Sequence, residues 1–125
     1  MRALVIDDSK TIRLILSKIL KGLGYTVSEA SNGQEALDRL ECDGPADLAL
    51  VDWNMPVMNG LEFVRAARAD DANAGMCLMM VTTEVEQEQM VRALVAGANE
   101  YVTKPFTPEV IVEKLRFLGL AGEAQ

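Results

Sequence analysis

Short apolar runs alternate along this sequence with longer segments whose apolar residues recur at helical spacing. The runs Ala3–Ile6, Leu48–Val51 and Met76–Val81 have the length of strands and no polar interruption, which is typical of strands buried on both faces of a sheet. Residues 25–30 and 100–103 are shorter candidates that carry Tyr, Thr and Val. Because parallel strands need a crossover between them, usually a helix, this alternation predicts an α/β fold with a parallel sheet.

Five helical segments follow the five candidate strands, and two of them have recognisable starts. Asn32 with Glu35, and Asn59 with Glu62, have the spacing of a capping box. We therefore expect a doubly wound (βα)5 sandwich, with one five-stranded sheet and helices on both of its faces. The whole chain, residues 1–125, is expected to form a single domain without a separate effector domain.

Composition excludes several functional classes. The formal charge of −7 and the pI near 4.5 argue against nucleic-acid binding, which needs clustered cations. No apolar run approaches the ~20 residues of a membrane helix, and no secretory leader is recognisable, so we expect a cytoplasmic protein with protein partners. The absence of histidine excludes serine- and cysteine-protease triads. Cys42 and Cys77 lack metal-site spacing and are expected to be reduced thiols.

Four of the predicted strands are followed by side chains that can carry chemistry. These residues are Asp7 and Asp8, Asp52, Thr82 and Thr83, and Lys104. In a doubly wound sheet the carboxyl ends of the strands meet at one edge, where open α/β sheets place their ligands. We therefore expect these groups to converge, although they lie far apart in sequence.

The acidic members of this set predict a site for a hard divalent cation. Clustered carboxylates repel one another, and a bound cation relieves that repulsion. Mg²⁺ is typically held by one or two carboxylates together with carbonyl, water and phosphate oxygens. Asp7, Asp8 and Asp52 are candidate ligands, and the backbone carbonyl of Asn54, two residues after Asp52, is a further one.

The same set contains a nucleophile and two groups that bind a phosphoryl oxygen. Asp52 ends the central apolar run and is the candidate nucleophile for aspartyl-phosphate chemistry. The Thr82 hydroxyl can donate to a phosphoryl oxygen, and Lys104 supplies a compact cation to it. The pattern thus predicts phosphoryl transfer to Asp52.

Each of these residues also has a purely structural interpretation. An aspartate after a strand is commonly a turn former or a helix cap, and Asp8 alone is better explained as the cap of the first helix. Thr82 and Thr83 alone fit a helix start, and a Lys-Pro pair is commonly a turn. All of these side chains nevertheless follow predicted strand ends, and none lies on a helix face. This combination of carboxylates, a hydroxyl and a cation favours a functional site over the separate structural roles.

The motifs resemble those of bacterial response-regulator receiver domains, and most of all the single-domain chemotaxis members of that family. The matching segments are VIDDS at 5–9, DWNMPVMNG at 52–60, MVTTE at 80–84 and AGANEYVTKPF at 96–106. All four occur in order, and the resemblance extends from Ala3 to about Leu118. It implies the flavodoxin-like strand order 2-1-3-4-5.

By this resemblance, Asp52 accepts a phosphoryl group from a histidine kinase, and Mg²⁺ is held by the Asp7 and Asp8 side chains with Asp52 and the Asn54 carbonyl. Lys104 contacts the phosphoryl group, and the peptide bond to Pro105 is cis. The protein would then be a signalling phosphoacceptor that catalyses only its own phosphorylation and dephosphorylation.

The resemblance further implies a switch and an output face. Thr82 shifts toward the phosphoryl group, Tyr101 rotates inward behind it, and the face formed by residues 85–97 and 100–117 changes its affinity for a protein partner. The protein would act as a monomer, with dimerisation on phosphorylation as an alternative.

Five positions beside the pocket or on the output face set the behaviour of this particular chain. By resemblance, Asn54, Thr83 and Glu84 tune self-dephosphorylation toward a short-lived phosphoryl group. Thr83 is bulkier than the family's usual small residue, which would restrict access of the phosphodonor. Gln87 and Phe117 replace lysines of the chemotaxis pattern, and an exposed Phe117 would favour a more apolar partner than the flagellar motor switch.

Two other functions compete with the phosphorylation switch. A degenerate receiver would act as a phosphorylation-independent adaptor, but the intact acidic cluster argues against it. An Mg²⁺-dependent phosphohydrolase with an aspartate nucleophile would place that nucleophile after the first strand in a DxDxT pattern, whereas this chain has Asp7, Asp8 and Ser9 there.

Overall fold

The computed structural model describes residues 1–83 and 87–121, with the Gln87 side chain excepted. Within these residues the chain forms five strands, five α-helices and one short 3₁₀ helix. The strands are β1 (Arg2–Ile6), β2 (Thr26–Ala30), β3 (Leu48–Val51), β4 (Cys77–Thr82) and β5 (Glu100–Thr103). The helices are α1 (Lys10–Gly22), α2 (Gly33–Asp43), α3 (Gly60–Arg68), α4 (Gln87–Ala96) and α5 (Pro108–Phe117).

The strands form one parallel sheet in the order β2-β1-β3-β4-β5. This confirms the doubly wound α/β fold and the order 2-1-3-4-5. The register pairs Ile6 with Val51 and Val51 with Met80, so β1 and β3 end level with each other, whereas β4 continues past Met80 to Thr82. Side chains that follow these ends are therefore brought to one edge of the sheet.

Alternate residues of each central strand enter opposite hydrophobic cores. On β1, Leu4 and Ile6 lie in one core, and Ala3 and Val5 lie in the other. The first core also contains residues of α2, α3 and α4, whereas the second contains residues of α1 and α5. A sheet covered on both faces explains why its strands are continuous apolar runs rather than alternating ones.

The helix starts show where the sequence predictions were right and where they were wrong. The Asn32 side chain accepts a hydrogen bond from the Glu35 N–H, and Asn59 and Glu62 form a complete capping box. The proposed structural role of Asp8 as cap of the first helix is wrong, because Ser9 is the cap of α1.

Some strand boundaries differ from the sequence prediction by one residue, among them the start of β1 at Arg2 instead of Ala3, and one predicted loop contains a short helix. Strand β2 begins at Thr26 rather than at residue 25, and β4 is displaced by one residue from the predicted 76–81. The predicted loop of residues 70–75 contains the 3₁₀ helix Asp71–Asn73, because the Asp70 side chain accepts a hydrogen bond from the Ala72 N–H. The predicted start of the fourth helix at Val85 lies outside the described residues.

Both cysteine thiols are free, as expected, with Cys42 exposed and Cys77 partly buried. Among the described residues, none of the helices combines the length and the apolar character that crossing a membrane requires.

Candidate functional site

Three carboxylates converge at the carboxyl edge of the sheet. Asp7 directly follows β1 and Asp52 directly follows β3, and these two side chains are buried, whereas Asp8 is exposed. One ligand oxygen from each of the three lies within 4.8 Å of the others. The predicted acidic cluster therefore exists, with two members inside the protein and one facing solvent.

Lys104 is the cation of this cluster. Its Nζ lies 2.7 Å from Asp7 Oδ2 and 3.5 Å from Asp52 Oδ1, and its side chain is 15% exposed. The Lys104 N–H donates to the Thr82 carbonyl at 2.8 Å, which fixes the chain as it leaves β5. The peptide bond between Lys104 and Pro105 is cis, as the resemblance implied.

The environment of Asp52 favours its protonated form. Burial, and then the negative charge of Asp7, raise the pKa of Asp52 from 3.8 to about 6, although Lys104 acts in the opposite direction. Lys104 lies closer to Asp7 than to Asp52, so its charge compensates Asp52 only in part. A bound cation would relieve the remaining electrostatic cost at Asp52.

The start of α1 fixes the geometry of Asp7. The Asp7 Oδ1 atom accepts a hydrogen bond from the Ser9 N–H at 2.8 Å, and the Arg13 guanidinium donates to the Asp7 carbonyl at 2.7 Å. Arg13 also forms an ion pair with Glu29 at 3.1 Å. Sequence reasoning missed Arg13, because its contact to Asp7 depends on how α1 sits above the strand end rather than on a motif.

The β3–α3 loop (residues 53–59) carries Asn54 beside Asp52, and Asn54 is exposed. The Gly60 N–H donates to the Trp53 carbonyl at 2.9 Å and closes the loop. A Cβ atom at Gly60 would lie 2.3 Å from the Asp52 carbonyl oxygen, so only glycine fits at this close approach. The small residue at this position thus allows the loop to fold back against the phosphoacceptor candidate.

Thr82 and Tyr101 both line a small pocket, which Trp53, the neighbour of Asp52, also lines. Thr82 is buried at the end of β4, whereas Thr83 is exposed. Tyr101 is partly buried, and its hydroxyl contacts the Met90 sulfur. The residues that line the pocket include Trp53, Met80, Thr82, Met90, Ala93 and Tyr101. Glu84, the third predicted tuning residue, lies outside the described residues.

The predicted output face exposes several apolar side chains. Val95 on α4 is 82% exposed and Phe117 on α5 is 81% exposed. Phe117 is thus available for the apolar contact that the sequence analysis expects of it. Between them, Lys114 forms an ion pair with Glu100 at 3.5 Å. Further exposed apolar residues on these helices are Val91, Leu94 and Val110. Large apolar side chains are therefore exposed on both α4 and α5, the two helices of the predicted output face.

The donor set fits a hard cation. Asp7, Asp8 and Asp52 offer only oxygen ligands, and thiolate or imidazole ligands, which would favour a softer metal, are absent from the cluster. Lys104 already neutralises part of the negative charge, which leaves the exposed Asp8 side of the cluster for a cation.

Comparison with known proteins agrees with the site. Residues 3–116 match the model of the response regulator receiver domain. Chemotaxis protein CheY1 of Helicobacter pylori strain J99 is 45% identical over 116 residues, covering 92% of this chain and 94% of that protein. The CheY homolog of Campylobacter jejuni strain 81-176 is 47% identical over the same length, covering 92% and 89%. The solved structure of Vibrio cholerae CheY4 has a TM-score of 0.87 at 36% identity, covering 93% of this chain and 96% of that one. The chain belongs to the response-regulator receiver family and is a receiver of the CheY type.

Proposed function

We propose that this protein is a phosphorylation-controlled regulator in a chemotaxis-type two-component system, with Asp52 as the phosphoacceptor. The position of Asp52 carries the proposal: a buried carboxylate at the end of the central strand, 3.5 Å from the Lys104 amine and clustered with two further aspartates. The relatives described as chemotaxis proteins support this choice of pathway.

In the proposed reaction, a carboxylate oxygen of Asp52 attacks the phosphorus of a phosphohistidine on a sensor kinase. A new P–O bond forms, the P–N bond breaks, and its electron pair leaves with the imidazole, which takes up a proton. Lys104 and the Thr82 hydroxyl bind the phosphoryl oxygens, whose charge they offset. The energy of the acyl phosphate is used to shift a conformational equilibrium, and no external substrate is turned over.

The acidic cluster is proposed to hold Mg²⁺, with Asp7, Asp8 and Asp52 as carboxylate ligands and Asn54 contributing its backbone carbonyl. When bound, the ion offsets the negative charge of the carboxylates and of the incoming phosphoryl group. Lys104 holds Asp7 in place at 2.7 Å, and Ser9 holds its second oxygen at 2.8 Å.

Phosphorylation is proposed to act through Thr82 and Tyr101 on the α4-β5-α5 face. Thr82 moves toward the phosphoryl group, and Tyr101 rotates inward into the pocket that both residues line. Asn54, Thr83 and Glu84 set how long the phosphoryl group persists. The exposed Phe117 favours a downstream protein with an apolar contact surface. We place the whole phosphorylation cycle in the cytoplasm.

The test follows Trp53 fluorescence, because this single tryptophan adjoins Asp52. We expect one change on addition of Mg²⁺ and a second, reversible change on addition of acetyl phosphate. The Asp52→Asn variant should lack the second change and should take up no phosphate in a labelling assay. Labelling of Asp52→Asn at the wild-type rate would contradict the assignment. A wild-type protein that responds to neither addition would instead support the adaptor function.

A further inference from the structure

We infer that Gly33, on α2, is a positioning residue for the cation and phosphoryl site, acting through Met58 and Val57 of the β3–α3 loop. The inference rests on the proposed function, because that loop carries the Asn54 carbonyl. Gly33 itself touches neither the carboxylates nor Lys104 in the contacts described above.

The first observation is a strained turn in the loop. Val57 has a φ of 68°, a left-handed conformation that β-branched residues rarely adopt. Its side chain is 81% exposed, so packing of that side chain does little to hold the conformation. The Met58 N–H donates to the Pro56 carbonyl at 2.7 Å and closes a three-residue turn around Val57. Such a turn persists only where the surroundings fix it.

The second observation is the contact that anchors this turn to α2. The Gly33 N–H donates to the Met58 carbonyl at 3.0 Å. A Cβ atom at position 33 would lie 2.7 Å from Met58 Cγ, 2.9 Å from its carbonyl oxygen and 2.9 Å from its sulfur. Because one of these atoms belongs to the backbone, a larger residue at position 33 has to displace the loop itself and so weakens the hydrogen bond.

The displaced segment is short and leads directly to Asn54. The opposite end of the loop is fixed where the Gly60 N–H meets the Trp53 carbonyl at 2.9 Å. Only four residues, 54–57, lie between Trp53 and Met58. Once the Met58 anchor is displaced, the strain at Val57 favours a turn with an ordinary φ, and in this inference the change reaches the backbone at Asn54 through the short segment between them.

The decisive experiment is a double-mutant cycle between Gly33→Ala and Val57→Gly, read by Mg²⁺ titration of Trp53 fluorescence. Glycine adopts both positive and negative φ without strain, so Val57→Gly lets position 57 absorb the displacement of Met58 before it reaches Asn54. We expect Gly33→Ala alone to weaken Mg²⁺ binding by about tenfold, as is usual when a residue that supports a metal ligand is lost. In the Val57→Gly background the same change should alter the dissociation constant by less than about twofold.

A matched control is Gly22→Ala, at the end of α1, where an added Cβ meets nothing within 4 Å and φ is not in the left-handed region. This variant should bind Mg²⁺ as the wild type does. An equal loss of affinity from Gly33→Ala in both backgrounds would overturn the inference, because Gly33 would then act on α2 alone. Wild-type affinity in Gly33→Ala would overturn it as well.

Two further outcomes are decisive. If Gly33→Ala does not fold, the double variant decides the question. A folded double variant whose Mg²⁺ dissociation constant lies within about twofold of that of Val57→Gly supports the inference, and an unfolded double variant overturns it. If the wild type itself shows no fluorescence response to Mg²⁺, the proposed function is contradicted. If the wild type responds and Gly33→Ala binds Mg²⁺ with wild-type affinity, only the role of Gly33 is contradicted.

Discussion

At the scale of single residues, the site keeps Asp52 in an unfavourable electrostatic state. Burial and the nearby Asp7 charge raise its pKa to about 6, while Lys104 lies nearer to Asp7, at 2.7 Å, than to Asp52, at 3.5 Å. The folded protein thus holds a carboxylate whose charge is only partly compensated. A cation that relieves this cost would bind more favourably as a result.

Stability should reflect this cost. The pKa of Asp52 is about 6 in the folded state and 3.8 in the unfolded chain, so between these pH values the folded state binds more protons. The free energy of unfolding should therefore fall as the pH rises from about 4 to about 6. The loss should be about 1–2 kcal/mol after allowance for partial solvent screening. Urea unfolding at about pH 4 and about pH 8 in EDTA, for wild type and Asp52→Asn, measures it.

The Asp52→Asn variant should be more stable than the wild type at the higher pH, since the amide carries no charge. It should also lose this part of the pH dependence. A variant that is less stable than the wild type at the higher pH would show that the Asp52 charge is favourable in the fold.

At the scale of secondary structure, the sequence predicted most elements because each is specified locally. Apolar runs marked β1, β3 and β4, and Asn59 with Glu62 marked the start of α3. The strand order came only from the family resemblance, because it depends on pairing between distant segments that no local pattern encodes. The cap of α1 was assigned to Asp8 instead of Ser9, since two polar residues in succession both satisfy the local rule.

The capping box of α3 provides a prediction at this scale. Asn59→Ala removes the acceptor for the Glu62 N–H, which it now binds at 2.9 Å, and should lower the free energy of unfolding by about 1 kcal/mol. Asn59→Asp keeps an acceptor at the helix start and serves as the control. Urea denaturation of both variants measures the difference. Equal stability of Asn59→Ala and wild type would show that the box contributes nothing to the fold.

At the scale of the whole molecule, distant segments are joined by contacts that the sequence analysis did not predict. Arg68, the last residue of α3, donates to the Gly97 carbonyl at 3.0 Å, to the Asn73 carbonyl at 2.8 Å and to Asn99 Oδ1 at 2.9 Å. Asn99 in turn accepts from the Leu78 N–H at 2.8 Å. One guanidinium thereby joins α3 to the segments before β4 and β5, and sequence analysis missed it because no spacing rule links these positions.

Removal of this guanidinium should destabilise the domain more than the usual surface substitution. Arg68→Ala removes three hydrogen bonds from a charged donor and should cost about 2–4 kcal/mol in thermal or urea unfolding. Arg65→Ala, an exposed arginine on the same helix, is the control and should change stability by less than about 0.5 kcal/mol. Comparable losses in the two variants would rule out a special role for Arg68.

The contact between Lys104 and Asp7 spans 97 positions of sequence. A ribosome adds about 5–20 residues per second, so several seconds pass between the synthesis of the first aspartates and that of their cation. During that time a nascent chain already carries Asp52 but has neither the lysine nor the last strand beside it. The site proposed for phosphoryl transfer is therefore completed only late in synthesis, when Lys104 joins the two aspartates made long before it.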